Sequence, residues 1–107
     1  MKGDKLKGHL DLLVMSILSH GPTHGYAVIE ELSRRSNETI DVPEGTLYPV
    51  LHRLEEGGYL TSEWSEVKGR RRKVYRLSPS GHRRLSEERR GWATFVAAVT
   101  AVTEGTP

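Results

Sequence analysis

The chain has 107 residues, of which 36% are hydrophobic, a formal net charge of +2 and no cysteine. It is one small domain with a thin supply of apolar side chains, so burial against a second copy would help it, and both a disulfide framework and a thiolate metal site are excluded. Its longest apolar runs, Leu12–Met15 and Phe95–Val99, fall far short of the roughly 20 residues a membrane span needs, and the polar start Met1-Lys2-Gly3-Asp4-Lys5 has no signal-peptide pattern, so a cytoplasmic chain is expected.

Leu10, Leu13, Val14, Ile17 and Leu18 recur at helical spacing and predict a first helix over about His9 to His20, with one apolar stripe. Gly21-Pro22 breaks it. Thr23 is the expected cap of a second helix, His24 to Ser36, that buries Val28, Ile29 and Leu32. After a turn, a third helix begins between Pro43 and Thr46. Proline is tolerated in a first helical turn, so Pro49 pulls the regular helix toward Gly45 or Thr46. Leu47, Val50, Leu51 and Leu54 face its core, and Gly57-Gly58 ends it.

Leu60 to Val67 reads as a strand, and Val74, Tyr75 and Leu77 as part of another. Between and within them, Lys68-Gly69-Arg70-Arg71-Arg72-Lys73-Val74-Tyr75-Arg76 holds six cations, no acid and a glycine where a hairpin turns. Taking those six charges from +2 leaves −4 on the other 98 residues, so the positive charge is focused in one place, where a polyanion would be drawn. Pro79-Ser80-Gly81 then opens a last helix to about Glu104, polar for three turns and apolar afterwards. Leu85, Trp92 and Val99, with Phe95, Val96 and Val102 beside them, form a helix–helix seam expected to meet a partner subunit.

Three helices and a basic hairpin make a winged helix-turn-helix, mainly α with a small β-hairpin, over residues 1–78, followed by a dimerisation helix over 79–107. Spacing of 100° per residue leaves Gly45, Pro49, His52 and Glu56 outward on the third helix, with Thr46, Tyr48 and Arg53 on its flanks. The hydroxyls of Thr46 and Tyr48 suit phosphate, and His52 and Arg53 suit base edges. With Pro49 and, on the wing, Lys68, Arg70, Arg71, Arg72, Lys73 and Tyr75, they form the candidate DNA surface.

Several short runs, taken together, make a specific combination: His24-Gly25-Tyr26, Glu44-Gly45-Thr46-Leu47-Tyr48-Pro49, Leu51-His52-Arg53-Leu54-Glu55, Gly57-Gly58-Tyr59-Leu60, Arg71-Arg72-Lys73-Val74-Tyr75-Arg76-Leu77-Ser78 and Gly81. Over about Gly8 to Phe95 the chain resembles the PadR family of transcriptional regulators. It departs from the family at Val74 and Ser78, where Tyr and Thr are common. The resemblance implies a homodimer on the last helix, bound to a palindromic double-stranded DNA operator and acting mostly as a repressor. It also implies release by a small, often aromatic, effector or a stress signal. Trp92 looks like the tryptophan against which some short members of the family hold flat aromatic compounds.

No cofactor, metal or catalytic residue is expected. His9, His20, His24, His52 and His82 form no His-Glu-x-x-His, and neither a phosphate loop nor a nucleophile elbow is present. His20 and His24 are separated by Gly21-Pro22 and share no helix face. The alternative to a DNA-binding regulator is a winged helix that contacts only protein; the cationic wing opposes it, since the cores of protein interfaces deplete charged residues.

Overall fold

The computed structural model describes residues 8–105; the start Met1–Lys5 and the outer ends of the two expected segments lie outside them. The elements are α1 (Leu10–Leu18), β1 (Thr23–His24), α2 (Gly25–Arg35), α3 (Glu44–Glu56), β2 (Leu60–Val67), β3 (Arg70–Leu77) and α4 (Pro79–Thr103). Among the described residues no helix is long and apolar enough to cross a membrane.

The expected elements form, with three differences. The hairpin is joined by a third strand: β1 pairs antiparallel with β3, Thr23 against Tyr75 and His24 against Val74, so the sheet order is β1-β3-β2. Thr23 is therefore a strand residue, and His24 takes the cap, its Nδ1 accepting from the Ala27 N–H at 3.3 Å. A two-residue strand has no periodicity to betray it and exists only because β3 offers an edge. Second, α3 starts at Glu44, which leaves Pro49 inside the helix rather than in its first turn. A proline there forgoes one backbone hydrogen bond, to the carbonyl of Gly45. Third, α1 is buried on more than one stripe. Leu12 and Met15 join Leu10, Val14, Ile17 and Leu18, because α2 and α3 cover one side of it and α4 covers another.

Side chains from every helix and from β2 and β3 make one core, with Val28, Leu32, Val42, Leu47, Val50, Leu51, Leu54, Leu60, Tyr75, Leu77 and Leu85 around α1. Burying each such side chain stabilises the fold by about 1.5–3 kcal/mol. Two expectations are corrected by this core. Leu85 is 2% exposed and packs within its own subunit, so it is no part of a dimer seam. Tyr75 is 5% exposed, and burial pushes its phenol above the usual tyrosine range; it is a core residue that shows only an edge to the groove between α3 and the wing, and not the open surface contact expected. It lies at the β1 end of β3, where α2 and α3 close over the sheet.

The ends of α3 and the wing are built by local chemistry. Gly57 and Gly58, the latter at φ +82°, let Tyr59 N–H reach the Leu54 carbonyl at 2.9 Å and Gly58 N–H reach that of Glu55 at 3.0 Å. That is a Schellman ending. At the wing tip Lys68 (φ 51°) and Gly69 (φ 76°) are both left-handed, as a two-residue turn of the I′ type demands, and Val67 pairs with Arg70 across it. Ser78 caps α4, accepting from Gly81 N–H at 3.0 Å and donating to the Gly58 carbonyl at 2.6 Å. Up to Trp92 the helix is braced on α1: Arg84 Nη2 donates to Asp11 Oδ2 at 2.6 Å, Arg89 Nη2 to Ser19 Oγ at 3.4 Å, and Trp92 stands edge-on to His9 at 4.9 Å. Its polar half thus packs on the domain and does not project. The half beyond Trp92 does project, and the molecule reaches 58 Å along its longest axis.

Candidate nucleic-acid interface

The outward face of α3 and the wing lie beside each other. Lys73 Nζ of β3 pairs with Glu55 Oε1 of α3 at 3.4 Å, and the Ser62 hydroxyl of β2 also donates to Glu55. These bonds fix the hairpin against the third helix, so the two expected contact surfaces have a defined spacing. On α3, Gly45, Tyr48, Pro49, His52 and Arg53 are exposed and Thr46 is half-buried. The Tyr48 ring rests on α2: a Cβ at Gly25 would come within 2.8 Å of its hydroxyl and ring carbons. His52 Nε2 pairs with Glu56 Oε1 at 2.8 Å on the open face. Arg53 turns toward α1, where its Nη2 donates to Asp11.

On the wing Lys68, Arg70 and Arg71 are exposed, and Arg72 and Lys73 are half-buried. Among the described residues no carboxylate lies within ion-pair distance of Lys68, Arg70, Arg71 or Arg72, whereas Lys73 and Arg76 have Glu55 and Glu63. Four cations without ion-pair partners within one hairpin raise the local potential, which suits phosphate.

Two aromatic residues absent from the sequence expectation stand here. Trp64 is 59% exposed on β2, with the Arg71 guanidinium 5.0 Å over its ring. Its signal was a tryptophan in an otherwise polar strand, Ser62-Glu63-Trp64-Ser65-Glu66. Tyr26, on α2, shares an open groove with Glu30, Val67, Lys68, Arg70 and Arg72. A neighbouring groove of about 330 Å³ runs between α3 and the wing, past Tyr48, Trp64, Arg71 and Lys73.

His24 joins the sheet to α2. Its Nδ1 must be unprotonated to accept from Ala27. Burial first, then the charges of Arg72 and Lys68, hold it below the ordinary 6.5, with Glu30 opposing. The folded state therefore binds a proton here less readily than the unfolded chain. Stability from this group is whole above the ordinary value and falls as pH drops from there through the lowered one. In His24→Asn, a good cap that does not titrate, the melting temperature is expected to fall less than in wild type between about pH 7 and 5. Equal pH slopes in the two proteins would relieve His24 of this role.

On the apolar half of α4, Trp92, Phe95, Val96, Val99 and Val102 are all exposed, Val102 to 80%. Trp92 and Phe95 rings lie 5.9 Å apart, and with His9, Leu12 and Gly91 they line an open groove of about 340 Å³.

The chain has relatives in sequence and in fold among known proteins. A sequence model described as the transcriptional regulator PadR-like family matches residues 14–87. The chain is 47% identical over 79 residues to transcriptional regulator Rv3488 of Mycobacterium tuberculosis, covering 71% of each chain. It is 31% identical to an uncharacterised protein of Lysinibacillus sphaericus over 98% of this chain and 97% of that one. Among solved structures it is similar to a PadR family transcriptional regulator from Eggerthella lenta, with a TM-score of 0.81 and 34% identity over 96% of this chain and 88% of that one.

Proposed function

Since the chain belongs to the PadR-like family of transcriptional regulators, proteins that bind DNA, are generally dimeric and are not enzymes, we propose that it is a repressor that holds a palindromic operator as a twofold homodimer. In this reading residues 1–78 bind DNA and 79–107 bring two copies together. Lys68, Arg70, Arg71 and Arg72 take phosphates, as do the hydroxyls of Thr46 and Tyr48. Pro49 and His52 face the bases, and Arg53 reaches them from the flank. Lys73, half-buried against Glu55, fixes the wing as well as adding charge. A twofold dimer would present two α3 helices about 34 Å apart, one turn of DNA. A flat aromatic effector seated against Trp92 would act on the same helix that joins the subunits, and so on the spacing of the two reading helices.

The observation that carries the proposal is the set of four wing cations without ion-pair partners, Arg71 and Arg72 on the groove beside α3 and Lys68 and Arg70 on the groove beside α2. It is tested by Arg70→Ala, Arg71→Ala and Arg72→Ala together. Each phosphate deprived of its arginine should lower the slope of log affinity against log salt by about 0.9, so the triple variant should give up a little under 3. Binding to operator and random DNA should weaken alike, because phosphates carry no sequence. A triple variant with the wild-type slope and affinity would remove the wing from the DNA.

A further inference from the structure

Asp11 lies on α1, outside the surface described above, yet its two carboxylate oxygens serve guanidinium groups from distant parts of the chain. Arg53 Nη2 of α3 donates to Oδ1, and Arg84 Nη2 of α4 donates to Oδ2 at 2.6 Å. Arg84 is itself fixed: its Nε donates to Glu88 Oε1 at 3.1 Å, and its guanidinium lies 4.6 Å over the Tyr59 ring. The Asp11 side chain is 16% exposed and that of Arg53 is 58% exposed. A braced carboxylate under the surface thus holds one terminal nitrogen of an arginine whose side chain is more than half in solvent.

This bond has two consequences. A free arginine loses more rotamer freedom than almost any other side chain when it binds, and one already fixed loses less. Arg53 uses one of its five N–H groups on Asp11. The remaining hydrogens on Nη1 and Nη2 can still meet a guanine through O6 and N7. Asp11, shared with Arg84, also offsets part of the guanidinium charge. Phosphate recognition depends on that charge, whereas base recognition depends on the fork geometry. The pairing therefore weakens Arg53 as a phosphate ligand and improves it as a reader.

We propose that Asp11 is a positioning residue for sequence recognition: it presets Arg53 for a guanine edge, with Arg84 and Glu88 setting Asp11 in turn. The inference rests on the reading that Arg53 faces DNA. The test measures affinity of the full-length protein for a genomic fragment selected by the wild type and for random duplex of equal length. Asp11→Asn is expected to lower the ratio of the two affinities about five- to tenfold, from the ordering Arg53 must then supply on binding. Random-DNA affinity should stay level or rise slightly as a negative charge is removed. Asp11→Glu should restore part of the ratio. On an Arg53→Ala background, Asp11→Asn should change it no further.

If Asp11→Asn fails to fold, Arg84→Lys carries the same expectation, because it leaves Asp11 in place and removes its planar brace. An unchanged ratio, or an equal gain on both DNAs, in a folded variant whose Arg53→Ala counterpart does lose discrimination, overturns the positioning role alone. An Arg53→Ala protein that discriminates like wild type overturns the reading of Arg53, and the proposal with it.

Discussion

A chain ending at Arg90 is expected to sediment as a monomer and to lose operator affinity by about 10² to 10⁴, because two half-sites bound by one dimer gain that much from effective concentration. The cut is chosen from the packing of α4. Leu85 in the core and Arg84 and Arg89 on α1 all remain, so the shortened helix keeps its seat. What goes is the exposed face of Trp92, Phe95, Val96, Val99 and Val102, in which Trp92 and Val99, and Phe95 and Val102, are seven residues apart. Beyond the Trp92–His9 contact this face stays exposed among the described residues, and an apolar stripe at that repeat fits a second helix. Trp92→Ala should be milder, giving a weaker dimer or an intact one that no longer binds planar aromatic compounds. Sedimentation at micromolar concentration decides the matter: a truncated chain that remained dimeric would assign the subunit contact to α1 or the wing.

Gly81→Ala is expected to destabilise the fold by about 3 kcal/mol or more, which for a domain of this size lowers the melting temperature by roughly 12–24 °C. A Cβ at Gly81 would lie 2.1 Å from the Tyr59 carbonyl oxygen and 2.9 Å from Leu77 Cδ2. The Leu77 methyl can shift, but the Tyr59 carbonyl is backbone and has no room to yield. Tyr59 follows the Schellman ending of α3, and its carbonyl accepts from Ser78 N–H at 3.0 Å. If α4 moved instead, Leu85 would leave the core and Arg84 would leave Asp11. Gly45→Ala makes the contrast: it is a helical position with nothing within 4 Å of its added carbon, and it should gain about 0.5–1 kcal/mol. Thermal unfolding of the two variants side by side is the measurement. A Gly81→Ala protein that melted with wild type would mean that α4 sits less tightly on Tyr59 than its geometry requires.

The candidate interface was legible unevenly. Arg70, Arg71 and Arg72 announce themselves by local charge density, and Lys68-Gly69 by the turn chemistry between two strand patterns. Both signals are complete within a few residues. His52 and Pro49 follow from helical angle alone. Tyr75 and Leu85 were misplaced for the opposite reason. Each continues a local pattern, a basic strand in one case and a sevenfold seam in the other, while its burial depends on elements far along the chain. Asp11 had no signal at all: its partners Arg53 and Arg84 are 42 and 73 residues away.

The same division holds for the fold. Apolar periodicity, proline and glycine determined from the sequence alone the four helices and the basic hairpin of the described residues, where each roughly ends, and which face of α3 is buried. Periodicity is a property of neighbours three or four apart, and hydrophobic burial reads it directly. Only the tertiary structure decided that Thr23–His24 adds a strand to β3, that α1 is enclosed by helices on more than one side, and that the first half of α4 belongs to the domain while the second half stands free. Those outcomes depend on backbone edges and ion pairs that meet across the fold. An unpaired strand edge or a half-buried carboxylate takes whichever partner the packing brings within hydrogen-bond reach, and no local stretch of sequence specifies which one that will be.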